Sequence, residues 1–231
     1  MDTQLILYSA VALGVVGGAS ALLLALASRF FHVEEDPRVA EITEVLPGAN
    51  CGGCGAAGCA AYAEALVKGT MPPTACNPGG PEVARRIGAI MGITVEASER
   101  QVARLRCGGS HDKCRPRFLY TGMPSCKAVS LVAQGGAKPC PFGCEGLGDC
   151  VAVCQFNALS MGPNGLPIVD EARCTACGKC VSTCPKHVLT LMPESTRVIV
   201  RCSTKLPAKA VVKACKAGCI ACRKCVKDCP V

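Results

Sequence analysis

The stretch that decides the fold is CTACGKCVSTCP, residues 174–185, in which four of twelve residues are cysteines and a proline closes the run. Its cysteines are Cys174, Cys177, Cys180 and Cys184. The two-residue spacings wrap a loop around one point, so three thiols converge, and the longer step before Pro185 directs Cys184 elsewhere. This spacing is typical of loops that bind a [4Fe-4S] cluster. Zinc sites combine separate C-x2-C pairs, so the spacing favours iron–sulfur over zinc.

A second cysteine group lies upstream in CPFGCEGLGDCVAVC, residues 140–154. Its spacings are x3, x5 and x3, without a closing proline, and the short apolar segment at 156–161 is expected to be a strand. In bacterial two-cluster ferredoxins, the last cysteine of a run ligates the neighbouring cluster. Crossing the ligands in this way predicts one cluster bound by Cys140, Cys144, Cys150 and Cys184, and another bound by Cys154, Cys174, Cys177 and Cys180.

A third thiol-rich loop is CGGCGAAGC, residues 51–59. Cys51, Cys54 and Cys59 stand on this loop, and Cys76 follows a short predicted helix as the natural fourth ligand. The glycines allow the backbone to lie close against a cluster. We therefore predict a [4Fe-4S] cluster here. A zinc site is the main alternative, and a disulfide is disfavoured in a reducing cytoplasm.

The last part of the sequence, CKAGCIACRKCVKDCPV at 215–231, repeats the run found at 174–185. The repeated positions are Cys219, Cys222, Cys225, Cys229 and Pro230. We predict a fourth cluster on this run. Its fourth ligand is open between Cys229, which would close the site locally, and the upstream Cys202 or Cys215.

Residues 94–139 show little periodicity and are predicted to connect two domains. Their cysteines, Cys107, Cys114 and Cys126, do not have a standard cluster spacing, so structural cysteines are favoured over ligands. His111 is a candidate for an extra ligand, but a lone histidine is more often a surface or capping residue.

An uncharged apolar run at residues 5–27 is long enough to cross a bilayer as a helix. Asp2 precedes the run, Arg29 follows it, and no basic start or cleavage site of a signal peptide is present. The positive-inside bias places the rest of the chain in the cytoplasm. We predict a single-pass anchor in the inner (cytoplasmic) membrane, with the iron–sulfur domains on its cytoplasmic side.

The composition limits the functional class. Cysteine makes up 21 of 231 residues and aromatic residues only 3%, so cysteines organise the fold, and base stacking on nucleic acid is not expected. The net charge of +8 mainly offsets the negative charge that the clusters would bring, and it also suits an acidic protein partner. No G-x-G-x-x-G follows a predicted strand, so flavin or nicotinamide sites would belong to other subunits. No catalytic residue is predicted, because single-electron transfer needs no general acid, base or nucleophile.

These elements predict an α+β protein with an N-terminal transmembrane helix, a small helical [4Fe-4S] domain and ferredoxin-like modules with short strands. The expected divisions are an anchor at 1–30, an N-terminal cluster domain at 31–93, a connecting segment at 94–139, a two-cluster ferredoxin-like domain at 140–193 and an additional ferredoxin-like segment at 194–231.

The order of these parts, together with CGGCGAAGCAAYAEAL and CNPGG at 76–80, resembles the B subunit of the Rnf electron-transport complex. The resemblance covers residues 1–193. It implies a subunit of a membrane-bound translocase that accepts electrons from soluble reduced ferredoxin and relays them to other subunits for NAD reduction, coupled to Na⁺ or H⁺ transport. It also implies that Cys51, Cys54, Cys59 and Cys76 hold the first cluster and that the eight cysteines from 140 to 184 hold the ferredoxin pair.

Two other functions remain possible from the residues alone. A membrane-anchored polyferredoxin could serve a different redox enzyme, such as a hydrogenase, and would not need the loop at 51–59. A zinc-stabilised membrane scaffold would have no redox role.

Overall fold

The computed structural model describes residues 3–30, 36–96 and 99–229 and divides into two units, Met1–Pro37 and Arg38–Val231. The first unit contains helix α1, Thr3–Phe30. Its segment Ala10–Phe30 has a mean hydropathy of 2.2 and no buried residues, so α1 is long and apolar enough to cross a membrane. The predicted apolar N-terminal helix is confirmed. Asp2, used in the topology prediction, lies outside the described residues.

The second unit begins with a helical part. It comprises α2 (Pro37–Val45), α3 (Cys59–Val67), a short 3₁₀ helix (Asn77–Gly79) and α4 (Gly80–Met91). Proline in the first turn of α4 and left-handed Gly92 after its last turn explain where this helix begins and ends. The helices enclose a small core of Ile42, Leu46, Tyr62, Ala63, Leu66 and Ile87.

Two antiparallel strand pairs form the ferredoxin-like part. Strand β1 (Gln101–Leu105) pairs with β4 (Leu189–Pro193), and β2 (Leu159–Met161) pairs with β3 (Pro167–Val169). Short helices α6 (Asp149–Ala152) and α7 (Lys179–Thr183) each contain the third cysteine of one run, Cys150 and Cys180 respectively. The expected mixture of helices and short strands is therefore present.

Strand β1 was not predicted, since it lies in the segment expected only to connect two domains. Val102, Ala103 and Leu105 of β1 are buried in a core that also contains the side chains of Cys144 and Cys180. This part of the connecting segment thus belongs to the ferredoxin-like core. A five-residue strand whose buried positions do not alternate cleanly gives too weak a periodic signal for recognition from sequence.

Three further short α-helices and a 3₁₀ helix at Ala133–Gly135 belong to the second unit. The α-helices are α5 (Cys126–Ser130), α8 (Ala208–Ala214) and α9 (Lys224–Lys227). Helix α5 is capped by Ser125, whose hydroxyl accepts a hydrogen bond from the Ala128 amide. Helix α8 packs inward through the buried Val211.

Candidate iron–sulfur sites

The first site lies on the loop before α3. Its predicted ligands are Cys51, Cys54, Cys59 and Cys76, all of them partly buried. Burial raises the pKa of the Cys76 thiol, and negative charge on the Cys54, Cys59 and Cys51 thiols would raise it further. The four thiols therefore lie near one another. Asn50 orders the loop, because its side-chain oxygen accepts a hydrogen bond of 2.8 Å from the Cys59 amide.

The second site is a cavity whose wall includes Cys154, Cys174, Cys177 and Cys180. Burial is the main cause that raises the pKa of Cys180 to about 12, and the neighbouring thiols of Cys174 and Cys177 are the next causes. The Ala103 amide donates to Cys174 Sγ at 3.3 Å, and the Ala158 amide donates to Cys154 Sγ at 3.4 Å. Such donors favour the thiolate form that iron requires.

The first and second sites are in contact. A side chain at Gly53 would collide with the carbonyl oxygen of Cys177, so only glycine permits this approach. Burial is the main cause of the raised pKa of Cys177, and the Cys51 thiol across the contact contributes to it. The loops of two predicted cluster sites therefore pack directly against each other.

The third site is a cavity whose cysteines are Cys126, Cys144, Cys150 and Cys184. Burial raises the pKa of Cys150 to about 11, and the thiols of Cys126 and Cys184 are the next causes. Cys140, the predicted partner of Cys144, Cys150 and Cys184, does not line this cavity. Cys126, expected to be a structural cysteine, lies where Cys140 was predicted.

Cys140 instead lines a separate cavity with four other cysteines. The five are Cys107, Cys114, Cys140, Cys202 and Cys215. The buried Lys138 lines the same cavity, and its amino group donates to the Gly109 carbonyl at 2.8 Å. His111 lies against Gly165 and is not among the residues that line this cavity.

The predicted tail ligands are Cys219, Cys222, Cys225 and Cys229, and all four are exposed. Their loop has left-handed residues at Ala221 and Arg223, at the same places as Ala176 and Gly178 in the second site. The Cys219 amide donates to Cys202 Sγ at 3.3 Å. The tail loop thus shares two left-handed positions with the loop of the second site. Pro230 lies outside the described residues.

The chemistry of these groups fits iron–sulfur clusters. Among the described residues, no three His, Cys, Asp or Glu side chains are close enough to hold a single metal ion. The thiolates of a [4Fe-4S] cluster bind four different irons and therefore stand farther apart than ligands of one ion. Buried thiols, aimed backbone amides and glycine-lined approaches suit such a cluster.

Comparisons with known proteins agree with this chemistry. Residues 46–78 match the family described as "Putative Fe-S cluster", and residues 140–188 match the "4Fe-4S dicluster domain". The chain is 45% identical over 216 residues to the B subunit of the ion-translocating oxidoreductase complex of Methanosarcina acetivorans, covering 94% of this chain and 81% of that relative. It belongs to the B-subunit family of ion-translocating oxidoreductase complexes.

Two further members of this B-subunit family match over much of the chain. The B subunit of the proton-translocating ferredoxin:NAD(+) oxidoreductase complex of Clostridium ljungdahlii is 43% identical, over 90% of this chain and 73% of the relative. The B subunit of the Na(+)-translocating ferredoxin:NAD(+) oxidoreductase complex of Acetobacterium woodii is also 43% identical, over 82% of this chain and 57% of the relative. The resemblance to the Rnf B subunit is thereby confirmed, and with α1 the family indicates membrane association.

The place of Cys126 in this B subunit was missed by sequence reasoning. One signal for it was present in the sequence. If the run at 144–154 is aligned with the run at 174–184, Cys150 matches Cys180 and Leu147 falls where Cys177 stands. The upstream run therefore lacks its middle thiol, and a remote cysteine has to be sought.

Proposed function

We propose that this chain carries electrons in an ion-translocating ferredoxin:NAD oxidoreductase, accepting them from reduced ferredoxin and relaying them to other subunits. The observation that carries the proposal is the contact between the first and second sites, where Gly53 lies against Cys177. Thiol groups packed this closely would hold clusters near enough for electrons to pass between them. The ferredoxin:NAD(+) names of the Clostridium and Acetobacterium relatives support the same activity. Those names differ in the ion, so the coupling ion is not assigned.

The proposed ligands of the first site are Cys51, Cys54, Cys59 and Cys76. Those of the second site are Cys154, Cys174, Cys177 and Cys180. Cys144, Cys150 and Cys184 supply three ligands of the third site, and Cys219, Cys222, Cys225 and Cys229 form the run of a tail site. When bound, [4Fe-4S] clusters accept and release single electrons, and the protein sets their potentials through hydrogen bonds to sulfur, burial and charge.

The protein's own contribution is visible at the second site. The amides of Ala103 and Ala158 hold their N–H groups toward two ligand sulfurs. These donors stabilise negative charge on sulfur and would raise the potential. The surrounding core excludes water from Cys174 and Cys180, both of which are buried. No proton transfer is needed at this site.

The proposed arrangement in the cell is a single-pass anchor in the cytoplasmic membrane, with the iron–sulfur part on the cytoplasmic side. Arg29, in the last turn of α1, supports this orientation through the positive-inside rule. A basic surface would steer an acidic ferredoxin toward the chain. Exposed cations near the tail that suit this role are Lys205, Lys209, Lys213, Lys216, Arg223 and Lys224.

The test is to purify the full chain anaerobically, measure iron, acid-labile sulfide and zinc, and mix it with reduced ferredoxin while recording EPR spectra. We expect at least about twelve irons per chain and rapid reduction by ferredoxin. Cys54→Ser should remove about four irons, whereas Ala57→Ser in the same loop should remove none.

Little iron with stoichiometric zinc would overturn the electron-transfer function in favour of a scaffold. Full iron loading without reduction by ferredoxin, together with copurification of a hydrogenase, would assign the chain to a different redox enzyme.

A further inference from the structure

The two cysteine runs of the ferredoxin-like part share one backbone conformation. The downstream run has left-handed residues at Ala176 (φ 54°) and Gly178 (φ 78°), and the upstream run has them at Gly146 and Gly148 (both φ 84°). Each pair flanks one position, which is Cys177 downstream and Leu147 upstream. The structure therefore supports the alignment in which the upstream run has leucine in place of its middle ligand.

Cys126 lies where its thiol could replace the missing middle ligand of the upstream run. It lines the third cavity with Cys144, Cys150 and Cys184. Its position is held by Asp149, whose carboxylate accepts hydrogen bonds from the Cys126 amide at 3.0 Å, the Lys127 amide at 3.1 Å and the Ser125 hydroxyl at 2.9 Å. Because Asp149 directly precedes Cys150, these bonds tie the start of α5 to the cysteine run.

If Cys126 is the ligand of the third site, Cys140 can act as a ligand in the separate cavity that it lines. A Cβ atom placed on Gly109 would lie 3.3 Å from Cys114 Cβ, 3.4 Å from Cys215 Sγ and 3.6 Å from Cys107 Sγ, so these three side chains surround one glycine. Cys140 lines the same cavity. Burial raises the pKa of Cys140, and negative charge on the Cys107 thiol would raise it further. Burial likewise raises the pKa of Cys114, and negative charge on Cys140 would add to this rise. Four thiols from three segments, 107–114, Cys140 and Cys215, thus line one cavity.

The buried positive charge of Lys138 beside this cavity also favours a bound anion. Lys138 is 2% exposed, and among the described residues no carboxylate pairs with it. A buried ammonium with one carbonyl partner is costly unless negative charge lies close by. Thiolates bound to iron would supply that charge. Cys107 Sγ already accepts hydrogen bonds from the Gly109 amide at 3.4 Å and the Cys144 amide at 3.3 Å.

The fifth cysteine of the cavity, Cys202, faces the tail. Its sulfur accepts the hydrogen bond from the Cys219 amide, and both residues line a more open depression beside the cavity. The three atoms nearest to a Cβ placed on Gly109 include Cys215 Sγ and Cys107 Sγ and no atom of Cys202. After burial and the Cys107 thiol, negative charge on Cys202 would also raise the pKa of Cys140, so Cys202 is the competing candidate for the fourth ligand. Cys215 is preferred because its sulfur lies beside Gly109, and Cys202→Ser tests that choice.

We propose that Cys126 replaces Cys140 as the fourth ligand of the third site, and that Cys140, Cys107, Cys114 and Cys215 bind a further [4Fe-4S] cluster. The proposal rests on the proposed function, because it requires that the chain be loaded with iron–sulfur clusters. The hydrogen bond from the Cys144 amide to Cys107 Sγ would link the third site to the further one. The electron path would thus extend from the ferredoxin pair toward the tail.

The experiment uses the full chain with the four tail cysteines, Cys219, Cys222, Cys225 and Cys229, changed to serine, which removes tail iron. After anaerobic purification, iron, sulfide and the EPR spins of the dithionite-reduced protein are counted. We expect about sixteen irons in this parent. Cys107→Ser, Cys215→Ser and Cys126→Ser should each lose about four, Cys107→Ser combined with Cys126→Ser about eight, and Cys202→Ser none.

A rescue separates ligand loss from misfolding. Leu147→Cys added to Cys126→Ser should restore the lost irons, because it rebuilds the spacing of the downstream run. The proposal of a further cluster would be overturned if the parent contains about twelve irons and if Cys107→Ser and Cys215→Ser contain the same number. Full iron in Cys126→Ser, or no recovery with Leu147→Cys, would overturn the replacement of Cys140. A parent nearly free of iron would instead show that the proposed function fails.

Discussion

The side-chain amide of Asn77 donates a hydrogen bond of 3.2 Å to the backbone carbonyl of Ala176, across 99 residues of sequence. Asn77 directly follows Cys76 of the first site, and Ala176 stands in left-handed conformation between Cys174 and Cys177 of the second. The bond therefore joins the segment next to the proposed ligand Cys76 to the loop of the second site. It fixes these two segments beside each other.

This contact predicts the effect of Gly53→Ala. The added methyl group would collide with the Cys177 carbonyl, so the two loops have to separate. We expect unchanged iron content, slower electron transfer between the first and second sites and weaker magnetic coupling between them. Rapid-freeze EPR after mixing with reduced ferredoxin measures both. Lys68→Ala, at the exposed residue that directly follows α3, is the control. Unchanged kinetics in Gly53→Ala would show that the contact is not on the electron path.

The second prediction concerns a buried ion pair beside the third site. Lys186 Nζ lies 3.4 Å from Glu145 Oε1, with side chains only 8% and 2% exposed. The ammonium also donates to the carbonyls of Gly135 and Pro141, the latter at 2.9 Å. Lys186→Met leaves Glu145 charged and unpaired, so it should lower the apparent free energy of unfolding by about 3–5 kcal/mol.

Chemical denaturation of the anaerobic protein measures this loss. Lys186→Met combined with Glu145→Leu should recover part of it, since no buried charge then remains. Lys68→Met, which breaks only the exposed pair with Glu64, should change stability by less than about 1 kcal/mol. Equal effects of the two lysine substitutions would contradict the burial argument.

The third prediction concerns Arg100, which binds the backbone segment that leads into the second site. Its guanidinium pairs with Glu194 at 2.5 Å and donates to the carbonyls of Glu171 at 2.7 Å and Cys174 at 3.2 Å. Arg100→Met should loosen the loop that leads into Cys174 and speed the bleaching of one cluster in air several-fold. Visible absorbance during exposure to oxygen follows this loss. Arg173→Met, whose ion pair with Asp170 is exposed, should bleach at the parent rate.

The fourth prediction concerns Tyr62 in the helical core. Its ring is 1% exposed, and its hydroxyl donates to the Pro72 carbonyl at 2.8 Å. Burial is the main cause that raises the pKa of Tyr62 to about 12, so the hydroxyl keeps its proton at neutral pH. Tyr62→Phe should cost up to about 1 kcal/mol of stability, because the hydrogen bond from its hydroxyl is lost while the Ala75 amide still donates to the Pro72 carbonyl.

Thermal unfolding followed by circular dichroism measures the cost of Tyr62→Phe. Tyr120→Phe is the control, because the Tyr120 hydroxyl donates no hydrogen bond to any of the described residues. A larger loss in Tyr120→Phe than in Tyr62→Phe would contradict this account.

Features that depend on local spacing could be predicted from the sequence without a structure. Cysteines separated by two residues predict a tight loop that brings their thiols together. The loops at 51–59, 174–184 and 219–229 could therefore be recognised without a structure. The apolar run of α1 is equally local, since its length alone decides whether it can cross a bilayer. Family membership follows from the order of these parts.

Tertiary structure decided which remote cysteine joins which loop. Cys126 lines the third cavity because Asp149 binds the start of α5, whereas Cys140 lines the separate cavity that contains Cys107. Pairing of β1 with β4 brings the residues after β1 beside the ferredoxin-like core. Spacing along the chain carries no information about such contacts, because they depend on how separate segments pack and which buried groups they satisfy.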